Sequence, residues 1–257
     1  MGKNKLKKFA EMETFINVFQ CGARDVLSSN PIHPMSGHWR DAFFHNDHAI
    51  VLELGCGRGE YTVGLAKKYP EKNFIGVDIK GARLWAGAKE AIEIGLTNVA
   101  FLRTNIEFIT SFFAKDEVDE IWITFCDPQM KKASKRLTST YFMQRYQEIV
   151  KPNGLIHLKT DSPFLFAYTQ EMLRLNPYPV LCLTDDLYAS SIDSIDTFTD
   201  ARALQTHYEK QWLQRGMKIK YIEWKLTPLI HFEEPVIEIE KDTYRSYGRN
   251  YQTQTPI

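Results

Sequence analysis

The sequence predicts an α/β fold, a mostly parallel, doubly wound sheet with helices on both faces. Two observations carry this. Short apolar runs rich in β-branched residues alternate with helical stretches at the spacing of βαβ units. A glycine-rich turn lies directly between the first such run and the helix after it. The first strand is Ala49–Leu52, followed by a helix from Tyr61 to Tyr69. A strand at Asn73–Val77, a helix over about 80–94 and a strand at Val99–Leu102 come next. The fourth strand spans Glu120–Thr124. A helix over about 138–150 then reaches the turn Lys151-Pro152-Asn153-Gly154 and the strand Leu155–Leu158. A helix at 163–175, a strand at 179–183, a helix at about 200–214 and a strand at about 218–226 complete a seven-stranded sheet. Ahead of this body, residues 1–46 read as an irregular leader. Ser28-Ser29-Asn30-Pro31 and Gly37 mark turns, and Trp39, Phe43 and Phe44 are expected to pack it onto the body. The body is expected to run from 47 to 228. The extension 229–257, with a polar, aromatic stretch from Ser246 to Gln254, has no readable role.

Composition narrows the class. The 257 residues are 44% hydrophobic and 25% charged, as in an ordinary globular protein, and no apolar run is long enough to span a bilayer. No membrane association is expected. Cys21, Cys56, Cys126 and Cys182 are scattered with no CxxC pair, which argues against a zinc site or disulfide scaffold and for a reducing, cytoplasmic setting. The net charge is +0, yet two basic clusters stand out. Lys3, Lys5, Lys7 and Lys8 open the chain, and Lys131, Lys132, Lys135 and Arg136 lie in its middle. Nothing in the sequence decides between a monomer and a homodimer.

The strongest local signal is Glu53-Leu54-Gly55-Cys56-Gly57-Arg58-Gly59. Glycines let the backbone turn sharply and approach a ligand without a Cβ clash. Asp78 ends the second strand about 20 residues further on, placed to accept hydrogen bonds from ribose hydroxyls. Glu53, Gly55, Gly57 and Asp78 thus describe an adenosine site. A dinucleotide site needs G-x-G-x-x-G so that a pyrophosphate can reach the helix N-terminus. Here the spacing differs, and the acidic Glu53 repels a pyrophosphate and suits a cation. S-adenosylmethionine carries a sulfonium and an ammonium and no phosphate. E-x-G-x-G-x-G with an acidic strand end resembles the fingerprint of the Rossmann-like, class I S-adenosylmethionine-dependent methyltransferases. Asn105, after the third strand, is a candidate for the adenine edge, with a simple turn-forming Asn as the competing reading.

The fourth strand runs into Phe125-Cys126-Asp127-Pro128. A carboxylate there faces the reactive methyl in this architecture. The basic segment from Lys131 to Arg136 follows at once and suits a substrate that brings phosphates, against the alternative of a solvated loop.

With these residues in place the chain resembles the bacterial tRNA (guanine-N7)-methyltransferase family. The carrying motifs are Glu53 to Gly59, Gly76-Val77-Asp78, Asp127-Pro128 through Leu137, Thr160-Asp161, and Thr206-His207-Tyr208-Glu209. Their order spans about 50 to 210. The resemblance implies methyl transfer from S-adenosylmethionine to N7 of a guanine in tRNA. It implies that Glu53, Asp78, Asn105 and Asp127 line the cofactor site, with Asp127 catalytic, and that Lys131, Asp161, Thr206, Tyr208 and Glu209 contact the nucleotide. Two departures from the family pattern are visible. Asn105 stands where the family has Asp. Gln129-Met130 replace Trp-Pro, and the stretch after Lys132 is about two residues shorter. Two other readings compete: a methyltransferase of an exocyclic base amine, suggested by Asp127-Pro128, and a non-catalytic RNA-binding relative.

Overall fold

A computed structural model of the chain describes residues 2–21, 32–190 and 196–244. Among these, eight strands form one sheet in the order β1-β4-β3-β2-β5-β6-β8-β7. The strands are β1 (Val18–Gln20), β2 (Ala49–Leu54), β3 (Lys72–Val77), β4 (Val99–Arg103), β5 (Val118–Thr124), β6 (Val150–Thr160), β7 (Val180–Thr184) and β8 (Lys220–Leu226). Every pairing from β1 across to β6 is parallel, and β8 alone runs antiparallel to both of its neighbours. Chain order reverses between β2 and β5. This switch point is where such sheets open a crevice beyond their carboxyl ends.

Alternation along β2 builds the two faces. Ile50, Leu52 and Leu54 point into one core with α4 (Thr140–Ile149) and α5 (Pro163–Leu175). Val51 points into the other, with α2 (Glu60–Lys68), α3 (Gly81–Glu93) and α6 (Asp196–Ala203). Both faces are covered, so the central strands read as continuous apolar runs.

The structure corrects the sequence reading in four places. The sheet has eight strands, not seven. The extra one, β1, comes from the leader, and its three residues are too few to show a period. The leader is also less irregular than expected. Gly2–Met12 forms helix α1, which lays Met12 into the core, and Trp39 and Phe44 are buried in a π-helical turn. The single helix expected over 200–214 is two, α6 and α7 (His207–Gln214), because Thr206 caps the second. The Lys151–Gly154 turn lies inside β6 as a bulge: Val118 pairs with Val150, but Glu120 pairs with Leu155. The Ser28–Pro31 turn and the 246–254 segment lie outside the described residues. No helix among the described residues is long and apolar enough to cross a membrane.

The described part of the C-terminal extension lies over the N-termini of α4 and α5. Glu234 accepts from Thr140 N and Oγ1 at the start of α4, and Asp242 accepts from Ser162 Oγ and Phe164 N at the start of α5. Both carboxylates answer the unpaired amides and positive dipole end of a helix.

Gly59 joins the turn to α2 in the left-handed region, at φ +72°, and a Cβ there would meet the Phe101 ring at 2.5 Å. Gly59→Ala therefore combines backbone strain with overpacking, and we expect a loss of about 2–4 kcal/mol. Urea unfolding of the variant checks this, and an unchanged midpoint would show that the turn relaxes freely.

Candidate active site at the carboxyl ends of the strands

The loops that follow β2, β3 and β5, together with the start of α7, enclose a cavity of about 350 Å³. Each wall follows from a local cause. Positive-φ glycines at 55, 57 and 59 fold the chain back from β2, and Gly55 N and Cys56 N both donate to Val77 O at the end of β3. The turn is thus sewn to the strand that carries Asp78. Asp78 closes it further, accepting from Gly57 N at 2.9 Å and Lys80 N at 2.7 Å.

Glu53, the penultimate residue of β2, lies almost wholly out of water, at 4% exposure. One carboxylate oxygen accepts from Thr62 N at 2.9 Å and from its hydroxyl, and the other accepts from Thr124 Oγ1 at 2.6 Å. It therefore joins the first turn of α2 to the end of β5. Burial, partly offset by these donors, pushes its pKa up to about 7. A buried carboxylate held near neutrality at the edge of a cavity gains from a cationic ligand.

The β5 wall is a strained turn. Phe125 and Gln129 both sit at positive φ, +48° and +47°, which non-glycine residues rarely adopt. Phe125 N donates to Lys159 O at 2.9 Å, and Gln129 N donates to Asp127 Oδ1 at 2.9 Å. The turn leaves the Asp127 side chain exposed and lining the cavity.

The expected site residues divide clearly. Glu53, Gly55, Gly57, Asp78, Asp127, Thr206 and Tyr208 line the cavity together. Asn105 does not. Its side chain caps the 3-10 turn Ile106–Ser111, accepting from Glu107 N, and it is Ile106 that reaches the cavity. Lys131 is exposed beside the cavity and, with Lys132, has no salt bridge among the described residues. Asp161 is fully buried and accepts from Tyr244 Oη at 2.6 Å. Glu209 is fully buried and pairs with Lys159 at 2.7 Å. The rest of the basic segment is also committed: Lys135 pairs with Glu107, and Arg136 donates to Gln129 O and lies 4.3 Å from the Tyr168 ring centre.

Sequence reasoning missed several lining residues. Ile79 is 54% exposed and lines the cavity, an apolar surface directly after Asp78. Arg83 comes from the first turn of α3, its guanidinium 5.7 Å from the Tyr208 ring centre. Only the position of Ile79, next to the acidic strand end, was a usable signal. Arg83 meets Tyr208 through tertiary packing alone.

A doubly wound sheet with a glycine-turned cavity at its switch point, with Glu53 and Asp78 in its walls, defines a class I methyltransferase. A model of the family described as "Putative methyltransferase" matches residues 47–222. Among solved structures, the 16S rRNA methyltransferase KamB shares the fold, with TM-score 0.58 and 12% identity over 76% of this chain and 96% of that one. The more specific likeness is in sequence. The tRNA (guanine-N(7)-)-methyltransferase of Bacteroides thetaiotaomicron is 57% identical over 97% of this chain and 96% of its own length. That of Porphyromonas gingivalis is 55% identical over 95% and 98%, and that of Clostridium acetobutylicum 36% identical over 78% and 94%. The chain belongs to the tRNA (guanine-N7)-methyltransferase family.

Glu53 also yields a stability prediction. Its folded pKa of about 7 lies above the ordinary 4.5, so it favours the folded state fully below about pH 4.5 and loses that contribution as pH rises through 7. Glu53→Gln removes the charge that burial disfavours. At pH 8 the ligand-free variant should be more stable than the wild type by up to about 3 kcal/mol, and the gap should close below pH 5. Paired denaturant titrations at the two pH values check the sign, and a gap independent of pH would show that Glu53 does not titrate in this range.

Proposed function

We propose that this chain transfers a methyl group from S-adenosylmethionine to N7 of a guanine in tRNA. The observation that carries the reading is the cavity itself. It is lined by the buried Glu53, by Asp78 after β3 and by the exposed Asp127, within a chain of this family.

The residues present fit the cofactor. Glu53, held near neutrality by burial, gains from a neighbouring positive charge, and no phosphate-binding spacing competes. Asp78 ends β3 where ribose hydroxyls lie in this fold, and the exposed Ile79 offers an apolar surface to the adenine. When bound, S-adenosylmethionine supplies a methyl group on a sulfonium, which leaves as a neutral thioether.

Guanine N7 carries a free lone pair, so no side chain has to remove a proton before attack. The protein's work is alignment, which contributes about 7–11 kcal/mol in favourable cases. Of the three carboxylates the resemblance brings forward on the substrate side, Asp127 is the one that lines the cavity. Asp161 and Glu209 face inward to Tyr244 and Lys159. We therefore assign Asp127 two roles. It accepts from the N–H donors of guanine's opposite edge, penalising adenine, and its charge favours the positive charge that develops on the purine. Tyr208, 40% exposed with Arg83 beside it, provides a stacking surface at the mouth. Lys131 and Lys132 meet phosphates.

The reading is tested by incubating the protein with labelled cofactor and unmodified tRNA and identifying the labelled nucleoside. 7-Methylguanosine is expected. A base methylated on an exocyclic amine, or no label at all, would overturn it. In the same assay Asp127→Ala should lower turnover at least about a hundredfold while the protein stays folded, the scale of losing a transition-state contact. Near-normal turnover would remove Asp127 from the chemistry. Reversing the charges of Lys131 and Lys132 should weaken tRNA binding and flatten its salt dependence, since fewer phosphates are neutralised. An unchanged salt slope would make this segment a solvated loop.

A further inference from the structure

Lys159 lies on β6, one residue before Thr160-Asp161, and its side chain is wholly buried. A lysine in such a place needs partners, and the structure supplies them from several walls of the cavity. The ammonium donates to Glu209 Oε2 at 2.7 Å and to Leu204 O at 2.8 Å. It lies 5.4 Å from the Tyr61 ring centre at the start of α2 and 5.8 Å from that of Phe125 in the Asp127 turn. Its own carbonyl accepts the amide of the strained Phe125.

Glu209 is equally committed. It accepts from Tyr188 Oη at 2.6 Å and, as the third helical residue of a capping box, from Thr206 N. Between Leu204 and Glu209 runs the lip of the cavity, which brings in Thr206 and Tyr208 and sends His207 N to Glu60 at 2.9 Å. Burial disfavours both charges: it pulls the Lys159 ammonium down to about 8 and pushes the Glu209 carboxyl up. A buried pair of this kind adds little stability over an apolar pair of the same volume, so what it contributes is geometry.

We infer that Lys159 is a positioning residue for the methyl transfer: its ammonium, clamped to Glu209 and the Leu204 carbonyl, fixes the lip that carries Thr206 and Tyr208 against the turn that carries Asp127. This rests on the reading of the site given above. Lys159 itself does not line the cavity. It acts by holding two walls, one on α7 and one after β5, that share no strand.

The test separates geometry from folding. Lys159→Met alone strands the Glu209 charge and should lower the melting temperature. Pairing it with Glu209→Gln keeps the capping acceptor and removes the charge, which should return melting close to the wild type. In this double variant amide hydrogen exchange at residues 204–210 should rise at least about tenfold while β2 stays protected. With tRNA, kcat should stay at least about tenfold below the wild type while affinity for S-adenosylmethionine changes less than about threefold. Wild-type exchange at 204–210, or full recovery of kcat together with melting, would overturn the inference and leave the pair a plain stabilising contact. If the wild-type protein methylates some other nucleoside, the functional reading fails on its own, and the exchange measurement still decides whether Lys159 holds the lip.

Discussion

Glu53 is the penultimate residue of a central strand, with its carboxylate out of water and with donors from Thr62 on one side and Thr124 on the other. Those two threonines belong to the first turn of α2 and the last residue of β5. The distance between the glycine turn and the Asp127 turn is therefore set by one side chain that bridges them. Burial makes the arrangement costly for a free carboxylate, as its raised pKa records. The same group thus joins the walls of the cavity and places a buried carboxylate at its edge.

Above this joint several charges are turned indoors. Asp161 turns to Tyr244, Glu209 to Lys159, and Arg136 to the aromatic face of α5. The Asp161–Tyr244 and Glu209–Lys159 contacts each give a buried charge a partner it would otherwise lack. Asp127 is left facing the cavity, presented by a backbone with two left-handed residues. Strain of this kind persists only where the surroundings over-determine it. Here the Lys159 carbonyl and the Asp127 carboxylate itself, each accepting a backbone amide of the turn, supply that support.

Much of the frame was legible in the chain. β2 to β6 and both core faces follow from apolar periodicity, and α5 begins and ends where the pattern says. The first edge strand and α1 were not. Three residues show no period, and a lysine-rich helix hides its buried face behind charge. The break at 204–206 was written in the sequence as a capping box, Thr206 with Glu209, but the same four residues also read as part of a family motif. Asn105 shows the limit for single residues: its amide was free to suit an adenine or a turn, and local hydrogen bonding took it for the turn.

By itself, then, the sequence determined the doubly wound class, the glycine turn, the two strand-end acids Glu53 and Asp78, and the family. These depend on local spacing and on backbone rules that hold within a few residues. Only the tertiary structure decided which carboxylates meet the cavity and which are spent holding it together. Asp127, Asp161 and Glu209 look alike in the chain. What separates Asp161 and Glu209 from Asp127 is a partner 50 or more residues away, and no local pattern encodes a contact between Lys159 and Glu209 or between Asp161 and Tyr244.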